Sequence, residues 1–223
     1  MRVGFVCGLA GERRIVERLG GDVLCAVTGA HPARAEPCAQ DLIARGAQAL
    51  VSFGLAGGLD PALRAGDVVV SATVTTGEDA WTGDARWAEQ VRTRCATARL
   101  HQGPILSATA VMSTPHEKAA AFIRTGAVAV DMESAGVARG AAAADLPFIM
   151  VRAIADTSAQ GLPAYAATSI DSQGQTRIGP VLRGLARDPA SLTALLSLAS
   201  ASRRAFAALR GIVPHIGGPD ASG

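Results

Sequence analysis

Ala127–Asp156 reads A-V-A-V-D-M-E-S-A-G-V-A-R-G-A-A-A-A-D-L-P-F-I-M-V-R-A-I-A-D. Ala127–Val130 is a short apolar run and predicts a buried strand. Met132–Ala144 predicts a helix built mostly from alanine and glycine, and Pro147–Ile154 predicts a second, strongly apolar strand. Strands that are apolar throughout and alternate with helices belong to a largely parallel sheet covered on both faces.

The same alternation extends outward in both directions. Towards the N-terminus it predicts strands at Val3–Cys7, Val23–Thr28, Ala49–Phe53, Asp67–Ser71 and Ile105–Ala108. Helices are predicted at Ala33–Arg45, ended by Gly46, at Ala85–Arg99 and at Pro115–Arg124. Ser113 or Thr114 would cap the last of these, with Pro115 in its first turn. Gly54–Gly58 predicts a glycine-rich turn after the Ala49–Phe53 strand. The expected fold is a three-layer α/β/α domain with a mixed, largely parallel central sheet and C-terminal helices. No internal repeat has a fixed period.

Beyond Pro163 the pattern changes. Tyr165–Gln175 is polar and loop-like, and Ile178, Val181, Leu182 and Leu185 then recur with helical spacing. A further helix is predicted over Pro189–Arg210, and Pro214–Gly223 reads as a disordered tail. The organisation expected is one domain over residues 1–188, a helical extension over 189–213 and a tail over 214–223.

The net charge of +2 is close to neutral, and the arginines are scattered or in short pairs such as Arg13-Arg14 and Arg203-Arg204. That speaks against nucleic-acid binding, which calls for a basic face. Cys7, Cys25, Cys38 and Cys95 form no C-x-x-C pair and have no histidine at a zinc spacing, so neither a disulfide framework nor a metal site is expected. No apolar run approaches the roughly 18 residues of a membrane span. Val3–Ala10 is short, holds two glycines and meets Glu12-Arg13-Arg14, so it reads as a strand and not as a signal segment. The expected location is the cytoplasm.

Three segments carry a family resemblance: M-R-V-G-F-V-C-G-L-A-G-E at Met1–Glu12, F-G-L-A-G-G-L-D-P-A-L-R-A-G-D-V-V-V at Phe53–Val70, and A-V-D-M-E-S-A-G-V-A followed by L-P-F-I-M-V-R-A-I-A-D within Ala129–Asp156. In order and spacing they resemble the nucleoside phosphorylase/nucleosidase superfamily. The chain is most similar to its hopanoid-associated branch, because R-I-G-P-V-L-R-G-L-A-R-D-P-A-S-L-T-A-L-L-S-L-A at Arg177–Ala199 is similar to the extension of that branch. Those proteins act on adenosylhopane, releasing adenine and leaving a ribosyl or phosphoribosyl hopane. The methylthioadenosine/adenosylhomocysteine nucleosidases and a non-catalytic nucleoside-binding module are the alternatives.

Cleaving a purine N-glycosidic bond builds positive charge on the sugar and negative charge on the base. One group must protonate the base, one must hold the ribose and one must activate the nucleophile. Asp156, at the end of an apolar strand, is the candidate acid, and the resemblance implies contact with purine N7; a turn cap is the competing role. Glu133 can accept from two ribose hydroxyls, with Met132 against the sugar, although it could merely favour a helix start. Glu12 matches the glutamate that activates water in similar nucleosidases, or is a surface partner of Arg13 and Arg14. Gly54, Ala56 and Gly57 would let backbone approach the ligand, and Ala110, Val111 and Met112 match the segment that lines the base pocket in relatives.

Two positions depart from the pattern. Leu55 stands where many relatives have Ser or Thr near the nucleophile, and Ala155 stands where a serine often precedes the aspartate. With Thr28, Gly29 and Arg34 the only evident further phosphate contacts, and His31 close by in the same loop, hydrolysis is favoured over phosphorolysis. No cofactor is implied. The resemblance implies a homo-oligomer, and a lipid substituent would bring the C-terminal helices to the inner-membrane surface.

Overall fold

The computed structural model describes residues 1–20, 23–95, 99–162 and 192–219. Its strands are β1 (Val3–Cys7), β2 (Leu24–Val27), β3 (Ala49–Gly58), β4 (Val68–Ser71), β5 (Thr73–Thr75), β6 (Ala80–Thr82), β7 (Leu100–His101), β8 (Ile105–Ser107), β9 (Ala129–Asp131) and β10 (Phe148–Asp156). Its helices are α1 (Ala10–Glu17), α2 (Ala35–Ala44), α3 (Ala85–Arg94), α4 (Pro115–Thr125), α5 (Ser134–Ala143) and α6 (Leu192–Ile212).

One mixed sheet runs β6-β5-β8-β9-β3-β10-β4-β7, with β1 also on β3 and β2 on β1. The long strand β3 is the hub. Its first half pairs in parallel with β1, its last residues pair antiparallel with β9, and its other edge pairs in parallel with β10. Because side chains alternate across a strand, β3 and β10 feed two cores. Val51, Phe53, Ile149, Val151 and Ala153 meet α1, α3 and α6 on one face. Leu50, Met150 and Ile154 meet α2 and α5 on the other. This is the expected three-layer α/β/α arrangement.

The alanine and glycine content of α5 has a packing reason. A methyl group added at Gly136 would stand 2.6 Å from Ala35 Cβ, and one at Gly140 would stand 2.8 Å from Ala39 Cβ. Small residues four apart on both helices let α2 and α5 approach closely.

Several boundaries differ from the expectation. Gly54–Gly58 is not a turn: it continues β3, where its backbone pairs with β9 and β10. β5, β6 and β7 were not foreseen; they are two or three residues long, and β6 is largely exposed, so no apolar run marks them. The terminal helix is no separate extension, since Ala205, Leu209 and Ile212 belong to the same core as β1, β3 and β10. Nor is residue 214 the start of a disordered tail. Val213–His215 forms a 3-10 turn, Ile216 is fully buried, and its carbonyl accepts a hydrogen bond from Trp87 Nε1 at 3.0 Å. The predicted segments Tyr165–Gln175 and Ile178–Leu185 lie outside the described residues.

Candidate active site

The C-terminal ends of β1, β3, β9 and β10 border a cleft of about 220 Å³. Its described lining includes Glu12, Leu55, Ala56, Gly57, Ala110, Val111, Met112, Met132, Glu133 and Asp156, together with Ala155 and Leu162. The residues proposed for the base, the ribose and the water are therefore gathered here except Gly54, which lies behind Glu12.

Glu12 enters from the first turn of α1 and is buried. The backbone N–H groups of Leu9 and Leu55 each donate to its carboxylate at 2.8 Å. It is not a surface partner of Arg13, which pairs with Glu17. Burial raises its pKa, opposed by Arg152 and by those backbone donors. Gly54 exists for this carboxylate: a methyl group there would stand 2.6 Å from Glu12 Oε1. The glycine makes room for the acid, and not for a ligand as expected.

Glu133 sits at the N-cap position of α5, buried. A methyl group at Gly8 would be 3.1 Å from Glu133 Oε1 and 3.5 Å from Glu12 Oε2, so the two carboxylates converge on one point of backbone. Burial pushes the Glu133 pKa up to about 7, with Arg152 opposing and the nearby Asp131 and Glu12 charges adding to the rise.

Beneath these acids lies Arg152, which the sequence reading passed over. It projects from β10 onto the α5 face, fully buried. Its Nη2 lies 2.6 Å from Asp131 Oδ2 and 3.6 Å from Glu133 Oε2, and donates to Ser52 Oγ. Burial disfavours its charge, but Asp131, Glu133 and Glu12 more than compensate and hold it ionised. Its Nε has no hydrogen-bond partner. An arginine inside an otherwise apolar strand was the available signal, because such a charge persists only when paired.

Asp156 ends β10 beside Gly57, where a methyl group would stand 3.2 Å from Oδ2. Among the described residues its side chain caps no turn. Instead Oδ2 accepts a short hydrogen bond from Lys118 Nζ, which reaches across from α4. Burial raises the Asp156 pKa, and the Lys118 ammonium pulls against that rise without cancelling it. Lys118 too was missed. Its signal is spacing: with Ala121 it faces inward on a helix whose other cation, Arg124, is in the last turn.

The remaining candidates sit elsewhere. Thr28 is buried with an unpartnered hydroxyl, and neither it nor Gly29, His31 or Arg34 lines the cleft; Ala30 does. Four acids and no Lys, Arg or His are found among the described lining residues.

The profile of the Phosphorylase superfamily matches residues 8–176, which span all of these acids. Among solved structures, the chain is similar to a 5′-methylthioadenosine/S-adenosylhomocysteine nucleosidase from Neisseria meningitidis in complex with methylthio-immucillin-A. The TM-score is 0.74 at 17% identity, over 96% of this chain and 97% of that one. It is also similar to futalosine hydrolase of Helicobacter pylori, with TM-score 0.70 and 15% identity over 96% and 97% of the two chains. The corresponding nucleosidase from Colwellia psychrerythraea, in complex with adenine, gives 0.66 and 19% over 84% and 95%. Sequence family and fold agree, and the chain belongs to the phosphorylase superfamily.

Proposed function

We propose that the protein is an enzyme that hydrolyses the N-glycosidic bond of an adenine nucleoside, with adenosylhopane as substrate and adenine and ribosylhopane as products. The observation that carries this reading is the convergence of Glu12, Glu133 and Asp156 in one cleft. Asp156 delivers a proton to the departing base as the C–N bond breaks, a step worth about 10²–10⁴-fold in rate. Glu133 accepts hydrogen bonds from the ribose hydroxyls, and Met132 packs on the sugar. Glu12, its basicity increased by burial, takes a proton from the attacking water. Ala110, Val111 and Met112 offer backbone groups to the purine edge.

Water is favoured over phosphate on electrostatic grounds. A phosphate dianion in this cleft would meet four acids, and the Arg152 guanidinium beside them is already engaged by Asp131 and Glu133. Leu55 brings no hydroxyl to the nucleophile's side. The hopanoid substituent is supported by the Arg177–Ala199 resemblance and by the apolar wall of Leu9, Leu55, Val111 and Leu162. A pentacyclic body is too large for the cleft and would leave past Val111, which is 40% exposed.

The solved relatives named for methylthioadenosine/adenosylhomocysteine and futalosine favour a second reading, in which the same chemistry acts on a small 5′ substituent. The test is to incubate the protein with adenosylhopane, with and without phosphate, and to quantify adenine and the sugar product. Free ribosylhopane in both conditions is expected. Phosphoribosylhopane would replace hydrolysis by phosphorolysis, and no adenine in either condition would refute the substrate. Much faster turnover of methylthioadenosine would favour the second reading.

A membrane-surface contact accompanies the lipid substrate. Leu192 and Leu196 of α6 are 44% and 60% exposed. Arg14, Arg18, Arg203 and Arg210 rim a groove of about 390 Å³ between α1 and α6. The protein is expected to pellet with anionic and not with neutral vesicles. A homo-oligomer in the cytoplasm is the expected state, measurable by light scattering. No helix among the described residues is long and apolar enough to cross a membrane.

A further inference from the structure

Among the described residues, Lys118 and Arg152 are the two buried cations. The Lys118 side chain is 0% exposed, and a lysine is almost never buried without a partner. All three of its N–H groups are spent: one on Asp156 Oδ2, one on the Thr157 carbonyl at 2.8 Å and one on the Gln160 carbonyl at 2.9 Å. The helix that carries it is firmly placed. Thr114 and Glu117 form a capping box at its start, and Gly126 ends it with a left-handed turn. The turn that Lys118 grips is tied back to the same helix start, because Leu162 N–H donates to the Ser113 carbonyl at 2.8 Å. Leu162 is itself a wall of the cleft. One ammonium thus joins the acid at the end of β10 to the turn that follows it.

We propose that Lys118 is a positioning residue for base departure: it clamps Asp156 Oδ2, leaves Oδ1 to deliver the proton to the base, and supplies the charge that stabilises the carboxylate left behind. This rests on the reading of Asp156 as the acid. Among the described residues the only side-chain hydrogen bond to Asp156 is the one at Oδ2, and Asp156 lines the cleft. In the step, the glycosidic electron pair goes to the base, the Asp156 proton passes from Oδ1 to a base nitrogen, and water gives hydroxide to the sugar carbon and its proton to Glu12. Solvent returns that proton from Glu12 to Asp156. Lys118 stays an ammonium throughout and is not consumed. Without it, a newly formed carboxylate in a buried site would stand against Glu12, Asp131 and Glu133, with Arg152 already committed to the last two.

A lysine that merely braces the 157–160 turn would affect stability but not the acid's titration. The pH dependence separates the two roles. The charged groups around Asp156 are Lys118 from α4, Glu12 from α1, Asp131 and Glu133 from the β9–α5 junction, and Arg152 from β10 itself; only the first changes in the test. Removing an ammonium in contact with a buried carboxyl raises that carboxyl's pKa. An enzyme that needs Asp156 protonated then keeps its activity to higher pH, although the rate is lower because the acid is weaker.

The experiment measures adenine release against pH for Lys118→Met, Lys118→Gln and Lys118→Arg. The substrate is whichever of adenosylhopane and methylthioadenosine the wild type hydrolyses, and thermal midpoints are recorded alongside. Both neutral variants are expected to lose roughly tenfold in kcat with little change in KM. Their alkaline limb should move up by about half a pH unit or more. Lys118→Arg, which keeps the charge, should hold the wild-type limb and recover part of the rate. Neutral variants that fold and share the wild-type limb would overturn the proposal. Asp156→Asn is measured beside them: if it too releases adenine at the wild-type rate, the assignment of Asp156 as the acid fails and the Lys118 role fails with it. If Asp156→Asn is inactive while the neutral Lys118 variants keep the wild-type profile, only the Lys118 role fails.

Discussion

At the residue scale the site is a problem of fitting acids into a small space. Glu12 occupies the volume that a side chain at position 54 would take. Gly54→Ala would set a methyl group against the Glu12 carboxylate at a backbone φ of +159°, which side chains rarely adopt, so it is expected to strain β3 as well. The Glu12 carboxylate would be pushed off the Leu9 and Leu55 N–H groups. Adenine release by the folded variant should fall by about 10²-fold or more, in line with loss of a general base, and the thermal midpoint should drop. A wild-type rate in this variant would mean that Glu12 does not need its observed position. The acids themselves were legible as motif residues, each at the end of a recognisable strand or the start of a helix. Lys118 was not, because its partner lies 38 residues away and a lysine in an amphipathic helix ordinarily faces solvent.

At the element scale, β10 both fills the core and lines the cleft. Its alternate side chains fill one face with Ile149, Val151 and Ala153, and deliver Arg152 and Asp156 to the other. Arg152 links β10 to Ser52 on β3 and to Asp131 on β9, three neighbouring strands held by one guanidinium. Arg152→Met keeps the volume and removes the charge. It leaves Asp131 and Glu133 buried with no counter-charge, and breaking such a pair typically costs about 3–5 kcal/mol. The loss, read by denaturant unfolding, should be greatest above pH 7, because below that Glu133 can protonate and relieve part of the repulsion. Unchanged stability would show that the network is not holding these strands. The run Pro147–Ile154 announced a buried strand, but which face each residue takes was fixed only by pairing with β3 and β4.

For the whole molecule, the concentration of acids in one cleft sets the response to pH. Glu12, Glu133 and Asp156 all have folded-state pKa values raised by burial, Glu133 to about 7. A carboxyl whose pKa is higher in the folded than in the unfolded state binds protons more tightly when folded. Its contribution is fully present below the unfolded value and is lost as pH rises through the folded value. The ligand-free protein is therefore expected to unfold at a lower temperature at pH 8 than at pH 5.5, and Glu133→Gln should flatten that dependence. A midpoint that rises over this interval would contradict the burial of these acids. The organisation of the chain also differs at this scale from a domain with an appended tail, since α6 and Ile216 complete the core beneath β1 and β3.

The sequence by itself determined the layered α/β architecture, the main strands and helices, and the three acids. The architecture follows from local signals, apolar runs of strand length and helix caps, each confined to a few neighbouring residues, whereas the three acids were singled out by the family resemblance. Only the tertiary structure decided what the acids touch. Glu12 is held by backbone from β3, Glu133 leans on an arginine from β10, and Asp156 is gripped by a lysine from α4. Burial and charge pairing depend on segments that are distant in the chain and adjacent in space. For the same reason Gly54–Gly58, which reads locally as a turn, becomes a strand once β9 and β10 supply partners for its backbone.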